Sequence, residues 1–241
     1  MSRFSKHWKP AGPLFPSIGK WLPGALCLAC VVAAQAGPSP DYNIVWESPS
    51  KDSLDSMSLS GRRGAGANVW VQDGSLWIYL AHNGAYDEQG RLLKLGCVRL
   101  TPQATKLGGN GFKQKLDLAT GSISIQQGEF DASLWFADQT LVFEAKTARP
   151  EALEVAFASW RHKPLEKVLV DMHGARGNFS ADHVEAGTNG FVWFHRNADA
   201  PADIVGKAKA QGVAADAVCD ATTRRVSGGA IVIEGRISQP A

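Results

Sequence analysis

Acidic residues are absent from the first 36 positions of this 241-residue chain, a segment that carries four of its 25 lysines and arginines. The remaining residues therefore hold 21 basic and 23 acidic side chains, a net charge of −2. Nucleic-acid binding relies on a strongly basic surface, and this charge balance gives it no support. We therefore predict no nucleic-acid partner.

Long hydrophobic runs are also missing near the amino terminus. The apolar stretch at 25–34 is about half of the roughly 18 residues that span a bilayer. Basic residues precede it, and Ala34-Gln35-Ala36 follows it with the small-x-small pattern of a signal peptidase site. We predict that residues 1–36 are a signal peptide cleaved after Ala36. The mature chain, 37–241, is then a single domain, secreted or periplasmic, with no membrane association.

Cysteine is scarce in the predicted mature chain, where only Cys97 and Cys219 remain. Neither belongs to a Cys-x-x-Cys pair, so there is no cysteine motif for zinc or redox chemistry. Export would place both residues in an oxidising compartment. A disulfide between Cys97 and Cys219 and two free buried thiols are both compatible with the sequence.

Motifs for catalysis or metal binding are also lacking. No Gly-x-Ser-x-Gly nucleophile elbow occurs. Asp87 and Glu88 are adjacent and point in opposite directions, so we interpret them as a polar turn before Arg91 rather than as a catalytic pair. A metal site would require three or more ligands to converge, and we predict no metal and no cofactor. The one cluster of histidine and acidic residues is interpreted as solvated loops: Asp171, His173, Asp182, His183 and Glu185.

Short apolar stretches broken by turn residues about every ten positions dominate the chain from residue 43 onward, as is typical of β-sandwiches and barrels. The clearest hairpin spans 67–80 around the turn at Asp73-Gly74. On its second arm aliphatic residues alternate with Trp77 and Tyr79, so both faces are apolar and we expect both to be covered.

Further strands and one helix complete the predicted fold. The connections are too short for parallel crossovers, so the fold class is all-β, a large antiparallel β-sandwich with little helix. In the strand at 190–195, alternation places Trp193 and His195 on one face, which favours a packed, hydrogen-bonded histidine. Residues 203–218 are the predicted helix. The other predicted strands are 92–100, 112–118, 122–126, 132–136, 140–145, 153–160 and 230–237.

Several blocks of the chain together resemble one bacterial family. In order they are WESPSKDSLDSMSL at 46–59, NVWV at 68–71, DEQGRLLKLGCVRL at 87–100, FKQKLDLATGSISI at 112–125, SWRH at 159–162 and FVWFHRN at 191–197. The region 42–197 resembles the N-terminal DUF5703 domain of secreted bacterial proteins, which are similar to the fucosidase-type glycoside hydrolases of family 95.

The resemblance implies a β-sandwich that packs against a helical barrel, and that barrel supplies the catalytic carboxylates. We expect the sequence to end before such a barrel, so no catalytic residue is assigned. The expected function is a non-catalytic sandwich, truncated or free-standing, that is structural or contacts carbohydrate. Its partner would be a helical-barrel catalytic domain or a separate chain. The alternatives are a secreted lectin-like module that binds oligosaccharide or polysaccharide and, more weakly, an intact glycosidase with an unusual carboxylate site.

Candidate sugar contacts follow from the aromatic residues. Pyranose rings present apolar faces that stack on exposed aromatic rings, while nearby polar groups take the hydroxyls. Most tryptophans alternate within predicted strands and are interpreted as core. Trp46 and Tyr86 lie in or beside predicted loops, so these two and Asp87 are the candidate carbohydrate-binding residues.

Overall fold

The computed structural model describes residues 42–169, 176–198, 208–218 and 222–234. The predicted signal peptide, Asp171, His173 and Cys219 lie outside these ranges. The described residues belong to one unit, Gly37–Ala241. Within them, no helix is long and apolar enough to cross a membrane.

Two five-stranded sheets form the main body of the fold. Sheet A has the order β1-β6-β7-β8-β9 and consists of β1 (Ile44–Trp46), β6 (Lys113–Asp117), β7 (Ser122–Gln127), β8 (Phe130–Ala137) and β9 (Thr140–Lys146). Sheet B has the order β10-β5-β4-β3-β2 and consists of β2 (Met57–Ser60), β3 (Ala65–Gln72), β4 (Ser75–Tyr86), β5 (Leu92–Pro102) and β10 (Leu153–Ala158).

Two smaller sheets follow in the second half of the chain. A two-stranded ribbon pairs β11 (Leu165–Leu169) with β12 (Arg176–Phe179). Sheet C has the order β13-β14-β15 and consists of β13 (His183–Gly187), β14 (Gly190–Arg196) and β15 (Val226–Val232). All strand pairs in the four sheets are antiparallel.

The main core lies between sheets A and B because alternate strand residues of each sheet are apolar. Val69 and Ile78 from sheet B belong to the same buried cluster as Ile123 and Leu134 from sheet A. Burying such a side chain contributes about 1.5–3 kcal/mol relative to leaving it in water. The predicted antiparallel β-sandwich is therefore confirmed.

The hairpin predicted at 67–80 is also confirmed, and its strands are longer than expected. Asp73 and Gly74 have φ values of 51° and 80°, and a two-residue type I′ turn requires positive φ at both positions. Pairing then continues from Gln72 opposite Ser75 to Ala65 opposite His82.

A register shift in sheet B decides which residues reach its outer face, the face turned away from sheet A. Leu80 pairs with Gly96, but Ala81 pairs with Lys94, so Leu95 is the extra residue of a β-bulge. Leu93 and Leu95 are consequently buried, whereas Lys94 is exposed. Without this shift, simple alternation from Val98 would turn Lys94 toward the core.

The helix predicted at 203–218 is wrong over its described part. Only residues 208–210 are helical, and a 3-10 turn follows at Ala215–Ala217. Gly212 has a φ of 77°, a left-handed conformation that ends a helix, and Val213 N donates to Ala208 O at 2.9 Å.

The interpretation of the histidine and acidic cluster as solvated loops is wrong in three positions. His183 and Glu185 are exposed but lie on β13. The Asp182 side chain is buried, with only 1% of its surface exposed. Short strands with mixed polarity, such as β13, carry too few residues for the alternation to be recognised.

Candidate functional site

Aromatic side chains line the outer face of sheet B. Trp70 and Trp77 are directly opposite across β3 and β4, and their rings stack with centroids 6.1 Å apart. Tyr79 meets Trp70 edge-on at 4.6 Å, and Trp160 meets Tyr79 edge-on at 5.0 Å. The expectation that both faces of β4 are covered holds only in part, because Trp77 and Tyr79 are half-buried on this outer face.

A surface groove of about 300 Å³ lies at the Trp160 end of this aromatic row, and we call it the Trp160 groove. Trp160 lies just after β10, and 39% of its surface is exposed. The groove is lined by apolar side chains from β5, β11 and β12 and by four charged residues, Asp87, Arg91, Lys94 and Arg161. Aromatic and charged groups therefore border one concave surface.

Of the three predicted sugar contacts, only Asp87 lines this groove. Its carboxylate accepts hydrogen bonds from the backbone N–H groups of Gln89 and Arg91, both at 2.9 Å, and pairs with Arg91 Nε at 3.0 Å. The interpretation of this segment as a polar turn is confirmed, since these bonds close the connection between β4 and β5.

Trp46 and Tyr86 have other surroundings. Trp46 lies on β1 opposite Gln114 and packs half-buried against the main core. Tyr86 ends β4, where its carbonyl accepts a hydrogen bond from Asn197 Nδ2 at 3.1 Å and its ring lies 5.5 Å from the Arg225 guanidinium. Neither residue lines the Trp160 groove.

A buried charged network lies behind the groove and is centred on His195, which is 1% exposed. Its Nδ1 lies 2.8 Å from Asp182 Oδ1, and its Nε2 lies 3.2 Å from Glu88 Oε2. Burial by itself would lower the pKa of His195, but the hydrogen bonds with the two carboxylates outweigh it and raise that pKa to about 9. His195 is therefore an imidazolium at neutral pH.

The two carboxylates respond in the opposite direction. Burial would raise the pKa of Glu88, but hydrogen bonds from His195 and from Ser180 N, the latter at 2.8 Å, lower it to about 2. Burial would likewise raise the pKa of Asp182, but its hydrogen bonds with His195, Ser159 and Arg161 hold that pKa below its usual range. Both side chains are ionised at neutral pH.

Arg161 connects this network to the groove. Its Nε and Nη2 donate to the two Asp182 oxygens at 2.8 and 2.9 Å, a bidentate pair. Nη2 also donates to the carbonyl of Lys94 at 2.8 Å. Ser159 Oγ donates to Asp182 Oδ2 and accepts from Arg161 N. The network therefore fixes the loop that carries Trp160 against the strand that carries Lys94.

The arrangement around His195 is suited to holding structure rather than to nucleophilic catalysis. Both ring nitrogens face carboxylates, and Ser159 donates to Asp182 and not to the imidazole, so the order of a Ser-His-Asp triad is not reproduced. The predicted packed, hydrogen-bonded histidine is confirmed. Among the described residues, no group of three or more His, Cys, Asp or Glu side chains is arranged to hold a metal ion.

Cys97 carries a free, buried thiol next to Tyr79 on sheet B. Burial raises the pKa of this thiol to about 11, so it stays protonated at neutral pH. Cys219 lies outside the described residues; because the Cys97 thiol is free, the structure shows no disulfide between the two.

Three separate blocks of the sequence meet in this network. Glu88 comes from 87–100, Ser159 and Arg161 come from 159–162, and His195 comes from 191–197. Trp160 and Lys94, which sequence reasoning did not single out as sugar contacts, lie in two of these blocks. Membership of the blocks was the one signal in the sequence that pointed to them.

The fold and the groove define an antiparallel β-sandwich in which a buried ion network supports an aromatic and charged surface. The family model for the N-terminal DUF5703 domain, a domain of unknown function, matches residues 45–241, and the chain belongs to this family. The match includes the groove, the network and sheet C, and it extends beyond the 42–197 region of the resemblance. A comparison with curated proteins finds no match.

Proposed function

We propose that this chain is the non-catalytic β-sandwich of a secreted protein similar to family 95 glycoside hydrolases, and that it contacts carbohydrate through the Trp160 groove. One observation carries the proposal: an exposed tryptophan ring borders a groove that is also lined by charged side chains. Sugar rings need both features, because their C–H faces are apolar and their hydroxyls need hydrogen-bonding partners.

The size of the groove supports binding of a small part of a glycan. Its volume of about 300 Å³ lies at the lower end of the range for ligand sites, roughly 300–1,000 Å³. The groove is continuous with the aromatic row through Tyr79, which touches Trp160. A longer saccharide bound at Trp160 would therefore meet further aromatic surface on sheet B.

The placement of the carboxylates supports a non-catalytic role. Glycoside hydrolysis needs two carboxyl groups about 5–9.5 Å apart, on either side of the scissile bond. Asp87 is the one carboxylate among the described residues that line the groove, and its oxygens bind Arg91 and two turn N–H groups. Glu88 and Asp182 face His195 behind the groove. Catalytic carboxylates are then expected on a helical-barrel domain or a partner chain.

Affinity electrophoresis of the purified chain through gels that contain plant or algal polysaccharides tests the binding role. We expect Trp160→Ala to weaken retardation by about tenfold, because aromatic stacking contributes about 0.5–1.5 kcal/mol beyond burial. Trp135→Ala, on β8 of sheet A, is the matched control and should bind as the wild type does. Absence of retardation by every polysaccharide would contradict carbohydrate contact.

Sugar release from aryl glycosides, abolished by one carboxylate substitution, would contradict the non-catalytic role.

A second, structural role is favoured by sheet C. Val192, Val226 and Val232 are exposed there, and exposed apolar groups on one sheet favour an interface with another domain. Extending the expressed chain past Ala241 along its gene tests this role. A helical barrel that slows amide hydrogen exchange in β14 and β15 would support it, and a barrel that leaves this exchange unchanged would contradict it.

Export is proposed from the amino-terminal segment alone. We expect amino-terminal sequencing of the exported protein to begin at Gly37, directly after Ala36. Recovery of the chain in the cytoplasmic fraction with residues 1–36 intact would contradict secretion.

A further inference from the structure

We propose that the saccharide bound in the Trp160 groove is acidic, with its carboxylate or sulfate group held by Lys94 and Arg91. This inference rests on the proposed carbohydrate-binding function and names the substrate class of the same site. It comes from the Lys94 ammonium group, which has no acidic partner among the described residues, and from the unused guanidinium donors of Arg91.

Lys94 is the first of these charges. The bulge at Leu95 places the Lys94 side chain on the outer face of sheet B, where Lys94 Nζ lies 5.2 Å from the centroid of the Trp160 ring. No carboxylate of the described residues lies within 4.0 Å of this ammonium group, whereas each arginine of the groove has an acidic partner. A saccharide that stacks on Trp160 would therefore bring its substituents next to a cation that has no acidic partner among the described residues.

Arg91 is the second group, and it is held in place for a further interaction. Its guanidinium lies 4.5 Å from the centroid of the Phe179 ring, and only Nε pairs with Asp87. The side chain is nevertheless 46% exposed. Within the described residues, neither of its Nη groups donates to the protein, so both are available to an anion. A guanidinium fixed by stacking loses less conformational freedom on binding, and its planar donors match carboxylate and sulfate oxygens.

The balance of charges then gives the sign of the ligand. Asp87 offsets Arg91, and the buried carboxylate of Asp182 offsets Arg161. Among the described residues Lys94 remains as the one uncompensated positive charge of the groove, while the chain from residue 37 onward carries a net −2. A neutral sugar would leave this cation unmatched, while an acidic sugar forms charge-assisted hydrogen bonds with it. One uncompensated charge is too few for a polyphosphate backbone, which favours a saccharide over a nucleic acid.

Matched pairs of probes separate charge from sugar identity and carboxylate from sulfate. Isothermal titration of the purified chain would use oligogalacturonate with its fully methyl-esterified form, and a sulfated galactan oligosaccharide with its desulfated form. We expect the acidic member of at least one pair to bind about tenfold more tightly at low salt, the range of a charge-assisted hydrogen bond. This advantage should shrink as the ionic strength rises to about 0.5 M.

Three variants locate the effect. Lys94→Gln should remove most of the acidic advantage, so that the acidic and neutral members of a pair bind with nearly equal affinity. Lys113→Gln, an exposed lysine on β6 of sheet A, is the matched control and should bind as the wild type does. Trp160→Ala should weaken both members of the pair. Lys94 and Lys113 are exposed, and equal thermal midpoints would show that the variants are folded.

The outcomes distinguish this inference from the proposed function. Equal binding of neutral and acidic probes, lost in Trp160→Ala, would overturn the acidic preference and leave carbohydrate contact standing. No binding of any saccharide would overturn the proposed function itself. Equal weakening by Lys94→Gln and Lys113→Gln, or tighter binding of a single-stranded DNA oligonucleotide at the groove, would overturn the acidic saccharide as the ligand.

Discussion

His195 shows how a single buried residue connects distant parts of this protein. Its two nitrogens satisfy Asp182 and Glu88, carboxylates that come from the segment before β13 and from the turn after β4. Removing one partner from a buried ionic group costs more than the pair itself contributes, because the remaining charges stay desolvated. His195 and Arg161 therefore together neutralise the two carboxylates that the fold buries.

We expect His195→Gln to lower the free energy of unfolding by about 3–5 kcal/mol, because buried Glu88 loses its cationic partner and buried Asp182 keeps only Arg161. Urea unfolding at neutral pH measures this loss. His162→Gln, at an exposed position one residue after Arg161, is the control and should change stability by less than about 0.5 kcal/mol. A loss below about 1 kcal/mol in His195→Gln would show that the network is not stabilising.

The same network predicts how stability depends on pH. The pKa of His195 rises from 6.5 to about 9 on folding, so its contribution is complete below about pH 6.5 and is lost as the pH rises toward 9. The loss is on the order of 3 kcal/mol, at about 1.4 kcal/mol per pKa unit.

Glu88, with a pKa lowered from 4.5 to about 2, contributes above pH 4.5 and loses its contribution as the pH falls toward 2; Asp182 shifts in the same direction. Maximum stability is expected between about pH 4.5 and 6.5. Midpoints of urea unfolding measured across this range and up to pH 9 test whether stability is highest there and declines at alkaline pH. His195→Gln should lack the alkaline decline, and an equal decline in that variant would assign it to other groups.

At the scale of elements, the contact between sheet B and sheet C depends on a glycine. Phe157 of β10 lies over Gly96 of β5, where an added Cβ would be 2.3 Å from the ring. The same ring meets Trp193 of β14 with centroids 4.5 Å apart. The absence of a side chain at Gly96 therefore lets Phe157 connect the two sheets.

We expect Gly96→Ala to destabilise the fold by about 1–3 kcal/mol, because the methyl group displaces an aromatic ring in a packed region. Gly66→Ala is a matched control on β3, since the nearest atom to its added Cβ would be an ordinary 3.7 Å away. That change should be neutral or slightly stabilising because strand glycines are entropically unfavourable. Thermal unfolding of both variants provides the comparison, and equal midpoints would contradict the packing argument.

At the scale of the whole molecule, the hydrogen bonds of the network join residues more than a hundred positions apart. Glu88 and His195 are separated by 107 residues, and Tyr86 O and Asn197 Nδ2 by 111. Sheet C is thus tied to the long strands β4 and β5 by ion pairs as well as by Phe157. Small sheets of this size are marginally stable by themselves.

We therefore expect sheets B and C to unfold together in one transition. Native-state hydrogen exchange should give equal opening free energies for amides in β4 and β14. His195→Gln should lower the value for β14 first, because the ionic connection to β4 is weakened. A lower opening free energy for β14 already in the wild type would show that sheet C unfolds independently.

The sequence predicted those features that depend on neighbouring residues. The Asp73-Gly74 turn could be recognised because its backbone requires positive φ, and most long strands followed from period-two alternation. Alternation also placed His195 on a buried face. The predicted helix failed because Gly212 ends it locally, a position that composition alone did not mark. The polar-turn role of Asp87 was likewise a local property.

The groove and the partners of His195 could not be predicted in this way. Lys94 reaches Trp160 only because of the bulge at Leu95, and nothing in the order of residues 92–98 shows which residue the partner strand skips. Glu88 reaches His195 across 107 positions only once sheets B and C are packed, whereas Asp182, 13 positions away, reaches it at the end of the β13–β14 hairpin. Local chemistry determined the strands, turns and buried faces; the packing of sheets decided which charges meet, because contacts between remote positions exist only after the chain has folded.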